Sequence, residues 1–214
     1  MDIIDEVTPI CSAEMERIGD RLMKDCESRG MEDGVRGFLG DSFARWMDAL
    51  ADEAPGESGP TCGRRLSRND VCRLAVAMEQ TFAVRDAMLV SIIVGERCSS
   101  RGFLMDFMAC PTLPGNARRL EELLNASFHD ASAGPDLDRC DNGVTMLFDI
   151  IGLVPERYQV QPLAVISYVL WWMGDERAML CAMRALALDE ECSLAAIICS
   201  AAHRRIGPAW AEGA

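Results

Sequence analysis

The stretch Pro162-Leu-Ala-Val-Ile-Ser-Tyr-Val-Leu-Trp-Trp-Met-Gly-Asp-Glu-Arg-Ala-Met-Leu-Cys-Ala-Met-Arg-Ala-Leu-Ala-Leu-Asp-Glu-Glu191 decides the fold class. Its apolar residues do not alternate as a half-buried strand would; they recur at helical spacing, interrupted at Gly174 and again at Asp189. Pro162 stands in a first turn, where its missing N–H costs nothing. Asp175 and Asp189 are each placed to cap the next helix, with Glu190 and Glu191 expected in the first turn of the last one. Ala178, Ala182 and Ala185 form a small-residue stripe that lets a neighbouring backbone come close. His203, Arg204 and Arg205 then complement the dipole at the far end, before Gly207 and Pro208.

From Leu163 to Met173 every position except Ser167 is apolar. Eleven residues of helix reach about 16 Å, half of a bilayer's hydrocarbon core, so the segment is expected to be a buried central helix and not a span. Neighbouring residues on a helix point about 100° apart, which assigns one of Trp171 and Trp172 to the core and the other to a groove rim or subunit contact.

Upstream, the same period continues. Ser12 is expected to cap a helix running to about Ser28, ending before Gly30. A second helix carries Val35, Phe38, Leu39, Phe43, Met47 and Leu50, with Gly40-Asp41 as a candidate break. Gly34-x-x-Gly37-x-x-Gly40 lacks a preceding strand and so is no phosphate loop. Pro55, Gly56, Gly59 and Pro60 mark a linker. Ser67 and Asp70 form a helix start of capping-box type. Helical stretches follow through Met78, from about Val84 to Glu96, in one or two turns near Phe103–Met108, from an Asn116 cap to Phe128, and from Val144 to Leu153. The expected organisation is a helical pair over 1–52, a linker over 53–66, and a main helical domain over 67–214 containing a hairpin segment over 161–206. The fold class is all-α, an irregular multi-helix bundle ending in a helical hairpin plus one further helix.

Composition agrees. Aromatic residues make up only 6% of the 214, and Ala, Leu, Ile, Val and 13 Met supply the apolar mass, a helix-favouring mixture. The net charge of −13 disfavours nucleic acid and anionic membrane surfaces as partners. None of the ten cysteines pairs as C-x-x-C, and most fall inside apolar helical patterns, so reduced thiols and a cytoplasmic location are expected.

Trp171, Gly174, Ala178, Ala185, Leu186 and Asp189 occupy positions that resemble one tetratricopeptide unit, with Glu190 where a Pro is usual. Arg85-Asp86-Ala87, Pro162-Leu163-Ala164, the Trp-x-x-Gly-Asp turn and Asp189-x-x-Cys-Ser-Leu-Ala195 together resemble an actinobacterial domain-of-unknown-function family, the one numbered 4192, over roughly residues 67–206. Cys192 stands where that family usually has Tyr, and residues 1–66 have no counterpart to its strand-rich N-terminal portion. The resemblance implies no activity.

Candidate sites are few. Asp138, Cys140, Asn142, Gly143 and Asp149 approximate a calcium-loop register, but Cys140 replaces an oxygen ligand, Thr145 an apolar residue, and Asp149 the bidentate Glu. With His129 and His203 as the only histidines, zinc lacks a local ligand pair. No metal or cofactor is expected. A Cys110–His129 nucleophile is specified by nothing in the spacing, and Glu121-Glu122 and Glu190-Glu191 read as solvated. Arg85-Asp86 is a charged pair in an apolar helical stretch, expected to be structural. The functional expectation is a helical scaffold binding a partner peptide or helix beside Trp171 and Trp172, with a second copy of the chain among the partners considered. The alternative is an enzyme or small-molecule binder using an interhelical pocket at Arg85 and Asp86.

Overall fold

A computed structural model describes residues 8–51, 66–94, 100–132 and 134–213. Among these the chain forms helices and no strand: α1 (Ser12–Arg29), α2 (Met31–Ala51), α3 (Arg68–Gln80), α4 (Phe82–Ile93), α5 (Arg101–Ala109), α6 (Pro114–His129), α7 (Leu137–Leu153), α8 (Val160–Trp172), α9 (Arg177–Leu188) and α10 (Ser193–His203). Short 3-10 turns lie at Glu156–Gln159 and Ala209–Gly213. The fold class is therefore the all-α multi-helix one. No helix among the described residues is long and apolar enough to cross a membrane.

α8 is the hub. It packs against α3, α4, α7, α9 and α10, and all its residues are buried except the half-buried Tyr168 and Trp171. A helix apolar on every side has nowhere to sit but inside, which is why its continuous hydrophobic run was informative. α9 folds back on α8 through a turn in which Gly174 adopts φ +75, a conformation that favours glycine. Asp175 does not cap α9, whose cap position is Glu176 with no side-chain cap bond; its carboxylate accepts the Arg177 N–H at 2.8 Å and closes only the turn.

The N-terminal pair joins the same core. α1 packs on α3, and α2 on α3, α5 and α7. The Ile10 N–H donates to the Leu153 carbonyl at 2.7 Å, and Arg68 spans to Glu14 at 2.9 Å. The expected linker over 53–66 lies outside the described residues apart from Leu66, which is buried. Cys62, Cys98 and Glu96 also fall outside them. The eight cysteines among the described residues are free thiols.

Several local expectations are corrected. Ser12 is the first residue of α1, preceded by Cys11, which makes no side-chain cap bond. α2 runs unbroken through Gly40-Asp41. α5 spans nine residues, capped by Ser100, whose hydroxyl accepts the Phe103 N–H. α6 begins at Pro114, and Asn116 lies inside it, donating to the Asp106 and Cys110 carbonyls at 3.1 and 3.0 Å, so it ties off α5 instead of capping α6. Asp189 caps only a turn, accepting the Glu191 N–H; Glu190 and Glu191 precede α10, which opens at Ser193 after Cys192. The helix expected from Val144 starts earlier: Asp136 caps α7, which already contains Asp138 through Asn142.

Candidate functional site

The Asp138–Asp149 register disappears as a calcium loop because its residues are helical, with Cys140 fully buried. A helix cannot curl six oxygens around one ion. Among the described residues no cluster of His, Cys, Asp or Glu has metal-binding geometry. Gly143 serves packing: a Cβ there would come within 2.8 Å of Ile92, so its absence lets α4 and α7 approach.

Arg85 and Asp86 are brought together within α4. The Arg85 guanidinium donates to Asp86 at 2.8 Å through Nε, reaches Gln161 of α8 at 3.4 Å, and lies 4.7 Å above the Phe82 ring. Arg85 is only 8% exposed, yet Asp86 keeps its side chain one-third open. Burial raises the Asp86 carboxyl above the ordinary carboxylate value, with Arg85 pulling the other way. Cys192 stands close enough to feel the Arg85 charge, but burial dominates and pushes its thiol up. This arrangement fastens α4 to α8. Gln161 carried no signal in the sequence, because its role depends on a contact with a helix 76 positions away.

Cys110 closes α5, and its thiol is pushed up by burial and by the neighbouring Glu32, the opposite of what a nucleophile needs. His129 packs edge-on against Phe128 at 5.1 Å. A small cleft bounded by Leu66, Val71, Met146, Asp149 and Leu153 measures about 10 Å³, room for roughly one water.

The tryptophans divide as helical geometry requires. Trp172 is 1% exposed and meets the edge of Trp210 at 6.3 Å. Trp171 is half-buried, stacked 6.1 Å from Phe128, and its Nε1 donates to the Ile206 carbonyl at 3.0 Å. Burial pushes the adjoining Tyr168 phenol up to about 12. α6 and the segment after α10 thus already cover the outer indole.

Apolar surface lies one layer further out. α9 turns Ala178, Cys181, Ala182 and Ala185 to the core and leaves Leu180 69% and Met183 59% exposed. α10 buries Ala195 and Ile198 and leaves Ile197 59% exposed. The small inward stripe of α9 is visible in the sequence, whereas the outward position of its larger apolar residues Leu180 and Met183 is fixed only by the packing.

Comparison of the chain with family models, with curated proteins and with solved structures found no significant match.

Proposed function

We propose that the protein is a helical interaction module of the cytoplasm that docks a partner helix or peptide on the outward side of α9 and α10. The observation that carries this reading is the exposure of Leu180, Met183 and Ile197 on two adjacent helices whose core-facing positions are already filled. Isolated apolar residues on a surface are ordinary, whereas several large ones on adjoining elements mark an interaction site. Within this proposal α8 and α9 form a tetratricopeptide-like hairpin, a unit that normally stacks against another helix. The likeness over residues 67–206 to the domain-of-unknown-function family numbered 4192 is part of the same proposal. A protein partner suits the acidic surface, since a net charge of −13 repels nucleic acid. The free thiols agree with a reducing compartment.

The rival reading, a small-molecule or catalytic site at Arg85 and Asp86, has less support, because that guanidinium is spent on Asp86, Gln161 and Phe82. The test is a benzophenone photo-cross-linker placed at position 180 and, as control, at the exposed Glu122 of α6. Irradiation in native cytosol should yield discrete adducts from 180 and none from 122. Equal labelling from both positions, or none from 180, would overturn the proposal.

A further inference from the structure

Resting on that reading of the α9–α10 surface, we infer that its occupant is a second copy of this chain, bound through antiparallel pairing of α10 with α10 about a two-fold axis near Ile197. The charge pattern along the helix points to it. Asp189, Glu190 and Glu191 precede α10; His203, Arg204 and Arg205 end it, and all six are exposed. Glu190 lies seven positions before Ile197, in the turn ahead of α10, and Arg204 seven after it, just past the helix end, so Ile197 sits midway between the acidic and the basic end. An antiparallel copy rotated about Ile197 sets every acidic end opposite a basic one, and the two clasps are identical by symmetry.

Two further features agree. Among the described residues, none of Asp189, Glu190, Glu191, Arg204 and Arg205 forms an ion pair within its own chain. Their charges complement the helix dipole, but that requires neither an exposed Ile197 nor a face cleared around it. The outward residues nearest Ile197 are Ser193, Ala196 and Ser200, all small and exposed, and such a surface lets two helix axes approach at the short end of the usual 8–10 Å. The patch is nearly balanced in charge on a strongly acidic molecule, so it is a place where a second copy meets little repulsion. A parallel pairing would set acid against acid and base against base, and is excluded by the same pattern. On the adjacent α9, Met183 and Leu180 are exposed as well.

Sedimentation velocity of the full chain, run up to about 100 µM because a one-helix face makes a small interface, tests this with four variants. Wild type should dimerise, and Ile197→Glu should weaken the dimer about tenfold or more. Glu190→Arg alone and Arg204→Glu alone should each become monomeric, since each sets like charges together at both clasps. Mixing these two variants should restore a heterodimer, and combining both changes in one chain should restore the homodimer. A dimer indifferent to the swaps, or a wild type that stays monomeric, overturns the inference. If a monomeric wild type still yields adducts from position 180, only the second copy is lost; if it yields none, the interaction reading falls with it.

Discussion

Asp70 shows how much a single side chain can organise. It is fully buried and receives Ser42 Oγ at 2.8 Å, Arg45 at 2.7 and 2.9 Å, and both the N–H and the hydroxyl of Ser67 at 3.1 and 2.6 Å. Burial alone would raise its pKa; the hydrogen bonds from Arg45, Ser67 and Ser42 outweigh it and hold the carboxyl at about 2, below the ordinary 3.8. A folded value below the unfolded one means the stabilisation is present at neutral pH and disappears as pH falls from about 4 to about 2. That difference corresponds to roughly 2 kcal/mol. Asp70→Ala should therefore lower the thermal midpoint by roughly 4–8 °C at pH 7 and by much less near pH 2.5, as differential scanning calorimetry at the two pH values will read. An equal loss at both would mean the carboxylate's charge contributes nothing and only its shape matters. The Ser67–Asp70 half of this network was legible because a capping box is local; Ser42 and Arg45 were not, being 28 and 25 positions away.

At the scale of elements, the three glycines of α2 have three different surroundings. A Cβ on Gly34 would stand 2.6 Å from the Cys26 Cα, so this residue sets how closely α1 crosses α2. At Gly37 the obstacle is the flexible Arg29 side chain, and at Gly40 nothing lies within 4 Å. Backbone cannot step aside as a side chain can. Gly34→Ala should cost about 1–3 kcal/mol by forcing the helices apart, while Gly40→Ala should gain about 0.5–1 kcal/mol from helix propensity alone. Urea denaturation should move the two midpoints in opposite directions; movement in the same direction would refute the crossing argument. Helix existence and period were legible throughout, because apolar spacing reports which faces must be buried. Starts and stops were less so. α7 begins at Leu137, where Asp136 caps it by accepting the Arg139 N–H at 3.1 Å, and the Arg139 guanidinium donates to the Ser91 carbonyl at 2.7 Å across the core, a contact no local pattern announces. The candidate site divides the same way: α8's burial followed from composition, while the α9–α10 surface needed the packing to show which side faced inward.

Over the whole molecule, electrostatics works against the compact state. A net charge of −13 on 214 residues places many carboxylates within one another's fields, and self-repulsion of this kind destabilises a folded chain. Opposing it are ion pairs such as Arg36–Asp106, Arg68–Glu14 and Arg157–Glu79, most with a substantially exposed member. Exposed pairs contribute about 0–1 kcal/mol each and are screened as readily as the repulsion is. The Arg45–Asp70 pair has its carboxylate wholly out of water, and Arg85–Asp86 has its guanidinium mostly buried, so these two are screened less. Raising salt therefore removes more repulsion than attraction. The thermal midpoint of the Ile197→Glu variant, chosen so that self-association does not enter, should rise by a few degrees between about 0.05 and 0.5 M sodium chloride, where the Debye length falls to roughly 4 Å. Circular dichroism melts will measure it. A midpoint that falls with salt would show that the surface pairs outweigh the net charge, and would identify their network as the larger electrostatic contribution to this fold.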